Sequence, residues 1–169
     1  MSNSMYAMSV ETFIPMLGNL SALLDKAAAF AGAKKIDSAV LLQSRLAPDM
    51  LPLTRQVQIA CDAAKNSVPR LAGQEPMKIE DNEQTIDELK ARIAKTIDYL
   101  KTFDPAALNG SETREIKIPA RDRTLEFSGL NYLRRFALPN FFFHVTTTYA
   151  ILRHNGVELG KRDYLDSLR

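Results

Sequence analysis

The segment from residue 139 to 149 holds the side chains best suited to bind a ligand. Asn140, His144 and Thr148 are spaced four residues apart, so they share one face of a helix. An imidazole and an amide on an inward face could hold a metal ion or a polar ligand in a helical core. One histidine is a weak metal signal, and His144 among phenylalanines also fits a hydrogen-bonded core histidine. We therefore expect His144 in an interior polar cluster.

A second group of polar residues accompanies the second long apolar segment. Gln56 has apolar neighbours and is expected to point inward, with Gln58 and Asp62 nearby. An unpaired buried amide costs roughly 1–3 kcal/mol, so an inward Gln56 must be hydrogen-bonded. Asp49 is interpreted either as a turn or cap residue or as part of the same site. The predicted ligand pocket consists of Asp49, Gln56, Asn140 and His144, with His144 as the metal-ligand candidate.

The remaining reactive residue types have structural interpretations. His154 precedes Asn155-Gly156, where a helix should end and the helix dipole favours a cation. Cys61 has no flanking residues that would lower a thiol pKa, so we expect it in the core. No serine elbow, glycine-rich phosphate loop, paired-cysteine motif or HExxH occurs in the sequence. The catalytic residues, if there are any, stay unassigned.

The first element that must position these residues is a long amphipathic helix. It is predicted from Val10 to about Gly32, and Pro15 inside it predicts a kink or a restart. Its apolar face consists of Phe13, Leu17, Leu20, Leu24 and Ala27.

Two further helices follow. A short helical turn over 37–42 leads to a helix over 52–73, with Pro52 in its first turn. The next helix runs over 85–103, where Thr85 and Glu88 resemble a capping box. The apolar face of the 52–73 helix consists of Leu53, Val57, Ala60, Cys61, Ala64, Val68 and Leu71.

The segment 111–127 changes to a period of two, which predicts a short β-hairpin turning near Arg121-Asp122. An isolated two-stranded hairpin is marginally stable, so its apolar face must pack on the helices. The fourth long helix is predicted over 129–156 with a kink at Pro139, and the tail should fold back and end in a helical turn. We therefore predict an all-α protein: one four-helix bundle over 1–169, with a β-hairpin before the last long helix.

Composition limits the function classes. The chain has 169 residues, 46% hydrophobic and 25% charged, which is ordinary for one globular domain. The net charge of +2 implies no basic stripe, so no nucleic-acid partner is expected. No run of about 18 apolar residues and no signal-like start is found, so no membrane partner is expected. One cysteine suits a reducing compartment, and we expect a cytoplasmic protein.

Three consecutive phenylalanines, Phe141 to Phe143, must point to different sides of a helix. At least one should therefore meet solvent, a pocket or another subunit. Exposed apolar patches commonly mark interfaces, and twofold dimers are the commonest oligomers. We predict a homodimer.

Several phrases of the sequence resemble a known family. They are 16–20 (MLGNL), 46–50 (LAPDM), Leu138 through His144, and 151–161 (ILRHNGVELGK). With the helix order, they resemble the DinB/YfiT-like superfamily of metal-dependent bundles, and within it a bacterial subgroup defined as a domain of unknown function. The resemblance extends over nearly the whole chain.

The resemblance implies a three-histidine metal site, with one ligand on the second helix and an HxxxH on the last. Here Asn140 and His144 fall on that HxxxH, and Gln56 or Gln58 is the nearest residue on the second helix. Amide oxygens replace imidazole poorly for zinc or nickel. The leading expectation is a small-molecule-binding bundle with a degenerate metal site and no tightly bound zinc or nickel. The alternatives are a metal-dependent transferase or hydrolase of the thiol S-transferase type, and a structural or interaction protein.

Overall fold

The computed structural model describes residues 4–120 and 122–165. Within them the order of elements matches the predicted one: long helices first, a hairpin, then the last long helix. The elements are α1 (Met5–Lys34), α2 (Ser38–Gln43), α3 (Leu53–Ala72), α4 (Ile86–Lys101), β1 (Glu115–Ala120), β2 (Arg123–Ser128), α5 (Gly129–Tyr132), α6 (Leu138–His154) and α7 (Lys161–Leu165).

The four long helices α1, α3, α4 and α6 pack around one core, which confirms the predicted bundle. Every apolar position predicted for the first two long helices is buried. Pro15 does not restart the first helix, because α1 continues through it from Met5 to Lys34. One missing hydrogen bond is outweighed here by the burial of Phe13 and Leu17 on either side.

The helix ends follow the capping signals closely. Thr85 and Glu88 form the predicted capping box at the start of α4. Gly73 ends α3 in the left-handed conformation, with φ of 74°. Pro52 lies one residue earlier than predicted, as the residue that caps α3 rather than inside its first turn.

The hairpin is confirmed, with Ile116 opposite Phe127 and Ile118 opposite Leu125. Ile116 and Ile118 are buried, so the hairpin packs its apolar side on the bundle as its marginal stability requires. Arg121, one of the two predicted turn residues, lies outside the described residues.

The path into α6 differs from the single kinked helix predicted over 129–156. A π-helical turn over Leu133–Ala137 separates α5 from α6, and Pro139 sits in the first turn of α6. The proline ring has no N–H and clashes with the carbonyl four residues earlier, which is that of Arg135. The helix therefore widens in the turn before the proline instead of bending at it.

The segment after α6 follows the prediction as far as Leu165, and residues 166–169 of the predicted tail lie outside the described residues. His154 is exposed at the C-terminus of α6, and Gly156 adopts a φ of 92°. Val157 and Leu159 are buried as the chain turns back into α7. The side chain of Asn19 donates to the carbonyl of Tyr164, which ties α7 to α1.

Averaged over 18 residues, α1 is long and apolar enough to cross a membrane, although no uninterrupted apolar run of that length occurs in it. Among the described residues it is the one such helix. The core helix of a water-soluble bundle passes the same test, and α1 buries its Phe13-to-Ala27 face inside the bundle.

The three consecutive phenylalanines point to different sides of α6, as expected. Phe141 is buried and Phe143 is exposed, and the homodimer stays a prediction.

Candidate site at the seam of α3 and α6

The predicted polar residues lie along the contact between α3 and α6, which we call the seam. Two hydrogen bonds show how the two chain segments run relative to each other. Gln56 meets His144 at one end, and Ser67 meets Tyr132 at the other. Residue numbers rise along α3 while they fall along α6, so the two segments are antiparallel. Asn140, one turn before His144, therefore faces the middle of α3.

The buried polar pair of the seam is His144 and Gln56. The imidazole Nδ1 lies 2.7 Å from Gln56 Oε1, and the Gln56 amide Nε2 donates to the Leu51 carbonyl over 2.9 Å. The two side chains are 8% and 2% exposed. The prediction of an inward, hydrogen-bonded Gln56 is confirmed, and so is the interior position of His144.

This geometry assigns the protons of the imidazole. Because the Gln56 amide nitrogen donates to Leu51, its oxygen faces His144 and accepts an N–H from Nδ1. Neutral His144 then carries its lone pair on Nε2, which makes no hydrogen bond with any described residue. Thr148 shares the helix face but donates to the His144 backbone carbonyl, so it leaves the ring free.

Burial lowers the pKa of His144 below the ordinary value of 6.5. In a titration followed by NMR of the two histidine rings, we expect the His144 ring to charge below pH 6.5. Since the unfolded chain binds this proton more readily, the contribution of His144 to stability is present above pH 6.5 and falls as the pH drops below it. His154→Gln assigns the signals and serves as the control.

A His144 pKa at or above 6.5 would contradict the prediction. So would rapid modification of His144 by diethylpyrocarbonate at neutral pH, since an interior imidazole should react slowly.

A cleft of about 230 Å³ opens beside Asn140 in the middle of the seam. We call it the seam cleft. Half-buried residues of α3 at helical spacing form one wall, and the π-helical turn and the start of α6 form the other. Its lining residues are Ile59, Asp62, Ala63, Asn66, Ser67, Arg70, Ile118, Tyr132, Phe136, Ala137 and Asn140.

A chain of hydrogen bonds crosses one end of the seam cleft. Arg70 Nη1 donates to the Tyr132 hydroxyl oxygen over 3.3 Å. Ser67 Oγ donates to the Ala63 carbonyl, so it is free to accept from the Tyr132 hydroxyl 3.3 Å away. Tyr132 is almost fully buried, and this chain satisfies its hydroxyl. Among the described residues, the Asn140 amide has no such partner and remains available to a bound molecule.

Not every predicted residue joins the seam. Asp49 is exposed in the turn that precedes α3, and it makes no hydrogen bond to His144 or Gln56. Gln58 is buried on another side of α3, where its amide donates to Glu83 over 2.7 Å. Cys61 is fully buried, and burial raises the pKa of its thiol to about 12, which confirms the expected core position.

The sequence contains no motif that marks Arg70, Ser67 or Tyr132 as site residues. A signal was present for the α3 wall, because Ile59, Ala63, Asn66 and Arg70 follow a helical stripe of mixed polarity. Such a stripe is typical of a solvated helix face. Only the tertiary contact with the π-helical turn makes it the wall of a cleft.

Residues 5–165 match the family described as "Domain of unknown function (DUF1993)". The chain belongs to the DUF1993 family. This DUF1993 chain is similar to a DinB family member protein from Shewanella denitrificans, whose crystal structure it matches with a TM-score of 0.89. The two are 49% identical, and the match covers 95% of this chain and 90% of that one. A search of curated proteins finds no match. The predicted DinB-like family and bundle are confirmed.

The seam of the DUF1993 protein does not fit the three-histidine metal site that the superfamily resemblance implies. His144 supplies one imidazole, but Gln56 already accepts a hydrogen bond from it and Asn140 offers an amide. Within residues 4–120 and 122–165, no three His, Cys, Asp or Glu side chains are grouped to hold a metal ion. Zinc and nickel prefer nitrogen and sulfur donors, so one imidazole and two amides form a poor donor set.

We expect the purified, untagged DUF1993 protein to carry well below one zinc or nickel ion per chain after gel filtration. The reason is that two of the three imidazoles are replaced by amides. Elemental analysis by mass spectrometry measures the content directly. Near-equimolar metal that is lost in His144→Ala and kept in His154→Ala would contradict this prediction.

Proposed function

We propose that this DUF1993 protein binds a small organic molecule in the seam cleft, without needing a tightly bound transition metal. The observation that carries the proposal is the Asn140 amide, which lines the cleft and has no hydrogen-bond partner among the described residues. Ligand sites combine apolar walls with a few polar groups that fix orientation. Ile59, Ile118 and Phe136 supply apolar walls here.

The backbone supports the same location. The π-helical turn over Leu133–Ala137 lies directly beside the cleft, and Phe136 and Ala137 from it line the wall. Such turns occur frequently at functional sites because they displace one helical wall from its neighbour. The widened turn before Pro139 thus lies at the wall of the cleft, next to Asn140.

His144 and Gln56 form the next polar contact along the seam, one turn beyond Asn140 on α6. We propose that they hold α3 and α6 in register and that the free His144 Nε2 is a second acceptor for ligands that extend along the seam. Asp49 lies outside the proposed site, because it is exposed in the turn before α3.

The test is a screen of small polar and aromatic compounds by two-dimensional NMR on the ¹⁵N-labelled full chain. Expected hits shift backbone signals of 59–70 and 132–140 together and leave those of the exposed face of α4 unchanged. Ala63→Leu should weaken each hit at least tenfold, because the added side chain fills the cleft.

Ala94→Leu is the matched control, since it adds the same atoms to an exposed position of α4. Thermal melting of both variants checks that they fold. If no compound shifts the two segments, or if Ala63→Leu and Ala94→Leu affect the hits equally, the proposal is wrong.

A further inference from the structure

Arg70 is a cation of the seam cleft without an ion-pair partner among the described residues. It lies half-buried in the last turn of α3, and no described carboxylate comes within 4.0 Å of its guanidinium. The buried cations nearby behave differently. Arg92 lies 2.8 Å from the Asp62 carboxylate, and Lys65 lies 3.5 Å from the same oxygen. Their charges are therefore compensated inside the protein, whereas that of Arg70 is not.

The one carboxylate that lines the cleft with Arg70, that of Asp62, is engaged by other cations. Burial is the main reason that the pKa of Lys65 lies below its usual value, and the charges of Arg92 and Arg70 act in the same direction. Asp62 opposes them, but its one carboxylate serves both Arg92 and Lys65. Arg92 pairs with Asp81 and Glu83 as well, so of these three cations only Arg70 has no described carboxylate partner.

The guanidinium is also held in place. Its Nη1 donates to Tyr132, whose hydroxyl is fixed in turn by Ser67. A guanidinium has five N–H groups in a rigid fork, so most of its donors remain for a ligand. This fork matches the two oxygens of a carboxylate, and charge-assisted bonds of this kind are about twice as strong as neutral ones.

We infer that the seam cleft takes a small organic monocarboxylate, with its carboxylate on Arg70 and its apolar body between Ile59, Ile118 and Phe136. This inference rests on the proposed function and names its ligand class. The volume of about 230 Å³ suffices for a ring, since a cavity of about 150 Å³ already holds benzene. Asp62 in the same cleft disfavours a doubly charged phosphate.

A cation in the last turn of a helix also interacts favourably with the helix dipole, so Arg70 has a structural role as well. Arg153 provides the comparison. It is an exposed arginine in the last turn of α6, and it does not line the seam cleft. Losing either arginine removes a helix-terminal cation, but only losing Arg70 removes the proposed anion partner.

The experiment titrates the full chain with benzoate, with its neutral isostere benzamide and with inorganic phosphate, in low-chloride buffer. Chemical shifts of 59–70 and 132–140 and of the Arg70 side-chain N–H report binding. We expect benzoate to bind at least tenfold more tightly than benzamide, and phosphate to bind more weakly than benzoate. This comparison uses no variant, so it does not depend on a variant folding.

Arg70→Met should remove the preference for benzoate over benzamide, whereas Arg153→Met should keep it. Equal binding of benzoate and benzamide in the cleft would overturn the carboxylate assignment, and so would tighter binding of phosphate than of benzoate. Either result would leave the proposed function standing. If neither ring compound moves the cleft signals, the inference is wrong, and the compound screen with Ala63→Leu decides the proposed function separately.

Discussion

Replacing Arg92 with methionine is expected to lower the free energy of unfolding by about 3–5 kcal/mol. The Arg92 side chain is 1% exposed. Its Nη1 lies 3.0 Å from the Glu83 carboxylate, and its Nη2 lies 2.8 Å from Asp62 and 2.9 Å from Asp81. Without the guanidinium, the buried Glu83 carboxylate loses the cation that compensates it. Stranding a buried charge costs far more than losing an exposed ion pair.

Lys101→Met is the matched control for Arg92→Met. Lys101 also lies on α4 and pairs with Asp98 at 3.6 Å, but both side chains are exposed, so the loss should stay below about 1 kcal/mol. Urea unfolding measured on both variants gives the comparison. A loss for Arg92→Met no larger than that for Lys101→Met would contradict the argument.

The same cluster predicts how a second substitution behaves. Replacing Glu83 by leucine in the Arg92→Met background removes the stranded carboxylate, so part of the lost stability should return. The Arg92 Nε atom is buried and has no hydrogen-bond partner in the part of the chain that the structure describes, so one donor of the guanidinium is unsatisfied in the native protein. We therefore expect the double variant with Arg92→Met and Glu83→Leu to have an unfolding free energy closer to the native value than the Arg92→Met variant has. Urea unfolding of the two variants measures this difference.

The sequence predicts the bundle well because its signals are local. The α1 stripe from Phe13 to Ala27, the Thr85 capping box and the glycine stop at Gly73 each depend on residues a few positions apart. Gln56 was predictable for a related reason. An amide within an apolar stripe has to be buried, and a buried amide has to find a partner.

The seam cleft and the Arg92 cluster could not be predicted in the same way. The cluster joins α3, α4 and the segment 74–85 between them, so no spacing within one element reveals it. At Pro139 the sequence identifies an irregular helix, but a missing N–H can be accommodated by a bend or by a wider turn. Only the packing of α6 against α3 selects the π-helical turn, and with it the position of the cleft wall.

Asp49 illustrates the limit of a residue-type argument. A carboxylate shortly before α3 could point into the bundle or cap a turn, and both were consistent with the sequence. In the structure, the Leu51 carbonyl rather than the Asp49 carboxylate reaches the Gln56 amide. A backbone acceptor carries no sequence signal, so the partner of Gln56 had to come from the fold.

The second large change in stability is expected within the phenylalanine triplet, between its first and its last member. Phe141→Ala is expected to cost about 3–5 kcal/mol of unfolding free energy, because it leaves a cavity in the core. Phe141 is 0% exposed, and its ring contacts that of Phe13 edge to face at a centroid distance of 4.9 Å. Phe143→Ala, two residues later, should change stability by about 0.5 kcal/mol or less, because its ring is 55% exposed.

The two variants remove the same atoms from the same helix, so helix propensity and residue type cancel between them. Urea unfolding at equal protein concentration measures the difference in unfolding free energy between the two variants. That difference also tests the rotational position of α6, which places Asn140 and His144 on the seam. A one-residue shift in that position would bury Phe142 and turn His144 away from Gln56. Equal losses for Phe141→Ala and Phe143→Ala would therefore contradict both the core position of Phe141 and the location of the site. A large loss for Phe141→Ala alone supports both, because the helix face that buries Phe141 is continuous with the face that buries His144.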